Sequence, residues 1–255
     1  RSFISMNKKE ILNSIFYPRK SFIPQDDNDL LIKMSDETFI GSRLFLKNNK
    51  CSNIIFFHGN AELAQEYGPI ARMFNEADLN FIVVDYRGYG LSEGFPNKEN
   101  LHQDAVEAFD YLVSYLRTNN YNGKIIAMGR SLGSASICEI MSRRIDFLDK
   151  CIIESGFGTE YPLLKLLNIN PESIDYTPAD GFGNLDKLKD YKKPIYFIHA
   201  DRDHIIPISE AEMMLKSCAS NEKDLLVVNG ADHNNIISIM GREYFNKINI
   251  FINEQ

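Results

Sequence analysis

The sequence predicts an α/β protein with a mainly parallel central sheet and helices on both faces. Three features point there. Short apolar runs rich in β-formers recur along the chain, amphipathic segments separate most of them, and one run passes through Gly129-Arg130-Ser131-Leu132-Gly133 into small residues suited to a close-packed helix. The strand-like runs lie at 53–57, 80–85, 124–129, 151–154, 194–199 and 224–228, and their near-continuous apolar character fits strands buried on both faces. The clearest helix places Leu101, Ala105, Ala108, Phe109, Leu112, Val113 and Leu116 on one face. Another is expected to begin at Ser209, where Ser-Glu-Ala-Glu reads as a capping box. The stretch 155–188 breaks the alternation with glycines and prolines, and reads as a lid or cap insertion over the C-terminal edge of the sheet. There, Leu163, Leu164, Leu166 and Leu167 could meet an acyl group or simply pack a connector.

The 255 residues, 44% hydrophobic and 25% charged, suit one soluble domain with a sizeable core, and no linker, charge block or internal repeat divides them. A net charge of −7 opposes a broad surface for nucleic acid or anionic lipid and favours a small or neutral substrate. Cys51, Cys138, Cys151 and Cys218 lack the paired spacing of a metal or redox centre and are expected as buried thiols, and no motif calls for a cofactor. No run is long enough to span a membrane and the first residues lack a secretory pattern, so a cytoplasmic location is expected. Residues 1–5, ahead of Met6, read either as an added remnant or as the cut edge of a longer protein.

A strand followed by Gly-x-Ser-x-Gly and then a helix has the form of a nucleophile elbow, a sharp turn that lifts a serine hydroxyl above the sheet. Ser131 is therefore the candidate nucleophile. Such a serine needs a base, a group that orients the base, and donors for an oxyanion. His58, His102 and His199 precede any suitable acid, and His204 sits against Asp203. That leaves His233, in the polar loop after the last predicted strand, as the base. The loop after the 194–199 strand offers two aspartates. Asp203 is read as the orienting acid and Asp201 as a turn cap or a partner of Arg202. His58-Gly59-Asn60 follows the first strand-like run, so the main-chain N–H groups of Asn60 and Leu132 are the candidate oxyanion donors, with His58 as a structural hydrogen-bonding residue.

Taken together and in order, FFHGNAE, VVDYRGYGLSEG, GRSLGSA, HADRDHIIP and GADHNN resemble the α/β-hydrolase superfamily over nearly the whole chain. The resemblance implies a serine hydrolase with Ser131, Asp203 and His233 as its triad, and it favours Asp203 over Asp201. The HGNAE and DYRGYGLSEG segments are similar to a branch of small hydrolases that includes protein depalmitoylases. Ala200 stands here where glycine is usual, and Asp232 where the loop is commonly neutral. The expected substrate is thus a small acyl ester or thioester.

Three rival readings exist. Gly88-Tyr89-Gly90 after the second strand-like run suggests a dinucleotide fingerprint, but Gly94 falls one place too late for it. His199, Asp201, Asp203 and His204 could form the cluster of a metal-dependent hydrolase, although an aspartate occupies the place of that motif's middle histidine. A non-catalytic binding protein on the same fold is the third.

Overall fold

Parallel strands covered on both faces need apolar side chains on both faces, and the central strands of the computed structural model have them. The structure describes residues 6–254. Its eight-stranded sheet runs in the order β1-β2-β4-β3-β5-β6-β7-β8, with β1 (Asp29–Lys33), β2 (Phe39–Phe45), β3 (Ser52–Phe57), β4 (Leu79–Val84), β5 (Ile125–Arg130), β6 (Lys150–Glu154), β7 (Ile195–Ala200) and β8 (Lys223–Val228). The six strands from β3 to β8 pair in parallel and match the six expected runs to within a residue.

Alternate residues of these strands feed two separate cores. Ile55, Phe57 and Ala127 face α3 (Lys98–Thr118), α4 (Gly133–Arg143) and α7 (Ile208–Ser217). Ile54, Phe56, Ile126 and Met128 face α2 (Gly68–Glu76) and α9 (Arg242–Asn253). The α3 stripe is buried as its spacing predicts. Asn97 caps that helix by accepting from the Asn100 N–H at 2.8 Å, while Asn100 accepts in return from the Asn97 N–H. All four cysteines are free and buried. Among the described residues, no helix is long and apolar enough to cross a membrane.

The sequence reading missed the β1–β2 hairpin. It runs antiparallel at the sheet edge, pairing through β2 with β4, and β1 buries only Ile32, so no continuous apolar run marks it. The capping box expected at Ser209 is not formed. α7 starts at Ile208 with the extended Pro207 at its N-cap, so Ser209 already lies inside the helix and cannot cap it. The expectation about residues 1–5 lies outside the described residues.

Residues 155–188 connect β6 to β7 and contain α5 (Tyr161–Leu166) and α6 (Asn184–Leu188). Leu164, Ile169 and Tyr176 form a small core of their own with Ile11 from α1 (Lys8–Asn13). Of the four leucines in this stretch, Leu164 is packed and Leu166 is exposed.

Phe74 of α2 stacks on Phe81 with centroids 4.3 Å apart and meets Phe245 edge-on, so it joins α2 to both the sheet and α9. Phe74→Ala should cost about 3–5 kcal/mol of unfolding free energy by loss of burial and cavity formation. Urea denaturation would check this, and a loss below about 1 kcal/mol would mean that the site collapses to fill the space.

Candidate active site

The turn from β5 into α4 is tight enough to exclude side chains on both sides of the serine. A Cβ at Gly129 would overlap the Gly133 carbonyl, and one at Gly133 would overlap the Phe57 carbonyl of the neighbouring strand. Ser131 between them adopts a left-handed backbone, φ 53°, which non-glycine residues rarely take. Its N–H donates to the Glu154 carbonyl at 2.9 Å and its carbonyl accepts from the Ser134 N–H at 3.0 Å, so both sides of the strained residue are fixed.

Two loops at this sheet edge bring side chains toward the serine hydroxyl. His233 follows β8 and precedes α8 (Ile236–Met240), and its Nε2 lies 3.2 Å from Ser131 Oγ. On the other side of the ring, Nδ1 lies 2.7 Å from Asp203 Oδ2. Because an ionised carboxylate only accepts, Nδ1–H donates to it and Nε2 is left to accept from the serine hydroxyl. Asp203 Oδ1 accepts from the Ile205 and Ile206 N–H groups at 2.9 and 2.8 Å, which fixes the carboxylate independently of the histidine. Burial alone pushes the Asp203 carboxyl up. The His233 hydrogen bond and charge, with the Ile206 N–H, outweigh it and hold the group below its ordinary 3.8.

Asp201 is elsewhere, accepting from the Gly230 N–H at 2.8 Å across the ends of β7 and β8. The structure therefore brings Ser131, His233 and Asp203 into one hydrogen-bonded chain and leaves Asp201 as a turn cap. The N–H groups of Asn60 and Leu132 have no hydrogen-bond partner among the described residues. The Asn60 side chain donates to the Ile15 carbonyl and accepts from the Tyr17 N–H and the Tyr89 hydroxyl.

His58 is buried, with Nδ1 2.8 Å from the Gly59 carbonyl and Nε2 2.7 Å from Asp85 Oδ1. Both neighbours accept, so both ring nitrogens donate and the ring is an imidazolium paired with Asp85. Burial pushes the imidazole down, but the Asp85 hydrogen bond and charge carry it above its ordinary 6.5.

Three of the four groups proposed for a metal centre make hydrogen bonds elsewhere. Nε2 of His199 donates to the Ile206 carbonyl at 2.7 Å, Asp203 holds His233, and Asp201 holds Gly230. His204 points into a separate groove of about 610 Å³ shared with Leu166, Ile205 and Met213. Among the described residues, no three His, Cys, Asp or Glu side chains are grouped as metal ligands would be.

Sequence reasoning missed Arg130, Glu62 and Glu154. Arg130 follows the elbow glycine, and its guanidinium sits 3.0 Å from both carboxylates. Only the charge of Arg130 beside Ser131 could have drawn attention to it, because its partners are distant in sequence.

A family model described as serine aminopeptidase, S33 matches residues 48–165. Protein bem46 of Schizosaccharomyces pombe is 25% identical over 229 residues, covering 88% of this chain and 75% of that protein. Alpha/beta hydrolase domain-containing protein 17C of Homo sapiens is 28% identical over 204 residues, and the match covers 79% of this chain and 58% of that protein. Among solved structures, the Pyrococcus furiosus esterase Pf2001 superposes with a TM-score of 0.74 at 16% identity, covering 92% of this chain and 97% of its own. Est1E from Butyrivibrio proteoclasticus superposes at 0.71 and 17% identity, covering 89% and 100%. At such low identity these structural likenesses establish the fold.

The buried His58–Asp85 pair gives stability a defined pH dependence. With the folded value raised above 6.5, the contribution is fully present below pH 6.5 and is lost as pH rises through the raised value. Urea unfolding of the wild type and His58→Gln across this range should show the gap between them narrowing with rising pH. A constant gap would mean that the ring is neutral.

Proposed function

On the premise that this chain has an α/β-hydrolase fold, we propose that it is a serine hydrolase cleaving a carboxylic ester or thioester through an acyl-enzyme. The single observation that carries this reading is the chain from Ser131 Oγ to His233 Nε2 and from Nδ1 to Asp203, at 3.2 and 2.7 Å. In the first half-reaction His233 takes the Ser131 proton as the oxygen attacks the carbonyl carbon, and Asp203 stabilises the resulting imidazolium. The carbonyl oxygen becomes an oxyanion held by the Asn60 and Leu132 N–H groups, the latter at the N-terminus of α4 where the helix dipole favours negative charge. His233 then gives its proton to the leaving alcohol or thiol. Water, deprotonated by the same histidine, attacks the acyl-serine and releases the acid.

The apolar groove between the 155–188 insertion and α7, with Leu166, Ile205 and Met213 on its walls, is the proposed contact for part of the acyl group. It lies directly beyond the Asp203 loop. The insertion would then act as a wall of the site, with its small core against α1 holding that wall in place.

Ser131→Ala and His233→Ala should each lower kcat for a small aryl ester by about three orders of magnitude or more, as in other triads. Asp203→Ala should approach them and Asp201→Ala should not, so the reverse ranking of the two aspartates would overturn the acid assignment. Turnover should fall on acidification, because an imidazolium cannot accept the serine proton. The decisive experiment is intact-mass and peptide-mass analysis after treatment with a fluorophosphonate. Labelling confined to Ser131 and abolished by Ser131→Ala supports the nucleophile, whereas no labelling of folded protein favours a non-catalytic binder. Activity removed by a chelator and restored by a metal would support the metal-dependent reading instead.

A further inference from the structure

The unassigned feature nearest the proposed site is a cluster of buried charge behind it. The Arg130 side chain is 15% exposed and Glu154 is 4% exposed, with Glu62 beside them at 30%. The guanidinium makes three hydrogen bonds and one further ion pair. Nη1 donates to Glu62 at 3.0 Å and Nη2 to the His233 carbonyl at 2.6 Å and to Asn234 Oδ1 at 3.1 Å, while Nε lies 3.0 Å from Glu154 in an ion pair.

The four acceptors belong to three parts of the proposed machinery. His233 and Asn234 lie on the loop of the base. Glu62 lies on the loop after β3 and also accepts from the Gly59 N–H at 2.6 Å, one residue before the proposed oxyanion donor. Glu154 ends β6, and its carbonyl accepts from the Ser131 N–H. The two carboxylates are themselves held, Glu62 by the Tyr67 hydroxyl at 2.9 Å and Glu154 by the Tyr244 hydroxyl at 2.6 Å. The network approaches the backbone so closely that a Cβ at Gly59 would overlap Glu62 and crowd the Arg130 guanidinium.

We propose that Arg130 is a positioning residue that fixes the base loop, the oxyanion loop and the nucleophile elbow relative to one another through this one guanidinium. The inference rests on the triad reading above. A planar fork with fixed donor directions can hold four acceptors on three segments at once, whereas a lysine ammonium in the same place is a point charge that reaches fewer. Burial pushes the Glu62 carboxyl up, but the Arg130 and His58 charges, with the Tyr67 and Gly59 hydrogen bonds, bring it below its ordinary range, so the pair is ionised. Arg130 touches no reacting atom. It sets where the His233 backbone sits, and hence the distance between Nε2 and the serine oxygen.

The test uses Arg130→Lys and Glu62→Gln with an aryl ester and a fluorophosphonate. A displacement of about 1 Å at a reacting group costs on the order of 100-fold in rate, so Arg130→Lys should lower kcat by about that factor with KM changed less than about threefold. Labelling of Ser131 should still reach one equivalent per chain, but more slowly. Glu62→Gln keeps an acceptor for Gly59 while removing the charge, and should lower kcat by about tenfold. The double variant should be no worse than about twofold beyond Arg130→Lys, because both act on one network. A merely structural role would give incomplete labelling with wild-type turnover per labelled serine, and that result would overturn the proposal. If Arg130→Lys fails to fold by circular dichroism, Glu62→Gln decides: unchanged kcat per labelled site refutes the positioning role and a reduced one supports it. If the wild type itself is not labelled, the triad reading falls first and this proposal with it.

Discussion

The C-terminal edge of the sheet depends on one backbone constraint, the left-handed conformation of Ser131 at the end of β5. An L-residue held there costs on the order of 1–2 kcal/mol. It persists because α4 is pressed against β3 from beneath, with residues 133–141 buried and Gly133 against the Phe57 carbonyl. The strained turn cannot relax without lifting that helix out of the core. In return, the serine oxygen is held at the sheet edge 3.2 Å from His233 Nε2, and the Leu132 N–H at the start of α4 has no partner among the described residues. The position of every other group in the proposed site is meaningful only relative to that fixed hydroxyl.

The parts of this arrangement that the sequence made legible are those encoded locally. Ser131, Asp203 and His233 each follow a short apolar strand within a few residues, so strand recognition alone places them at the same sheet edge, and chain order supplies their roles. The β1–β2 hairpin was not legible because it lies at the edge, where Leu31 remains exposed and only Ile32 of β1 is buried, leaving neither a continuous nor an alternating apolar pattern. The Ser209 box failed because the helix begins one residue earlier, at Ile208 after Pro207, and a start shifted by a single residue moves the serine from the cap into the helix.

Arg130 shows the same limit more sharply. Its contact with Glu62 spans 68 residues and its contact with the His233 carbonyl spans 103. Seen in sequence it is only a charged residue between a glycine and a serine. In the structure it is the point where three loops meet, and its cost of burial is offset because each guanidinium edge faces a carboxylate or a carbonyl. Removing the arginine would leave Glu154 as a buried charge without a counter-ion, which is why such a cluster behaves as a unit and not as a sum of pairs.

Asn60 illustrates how a loop can be both chemically available and rigid. Its side chain is consumed by structure, joining the Ile15 carbonyl, the Tyr17 N–H and the Tyr89 hydroxyl, so it has little left to offer a substrate. Its main-chain N–H is left free, and an N–H can stabilise developing charge without reorganising only if the loop that carries it is already fixed. That fixing comes from residues 15–17, more than 40 positions earlier, and from Tyr89 in the loop after β4. The segment after α1 is therefore part of the support of the proposed oxyanion site without entering the chemistry. Glu62 supports the same loop from the other side through Gly59. With the loop held at Gly59 and at Asn60 by two independent sets of contacts, the orientation of the free N–H is set by the fold before any substrate arrives.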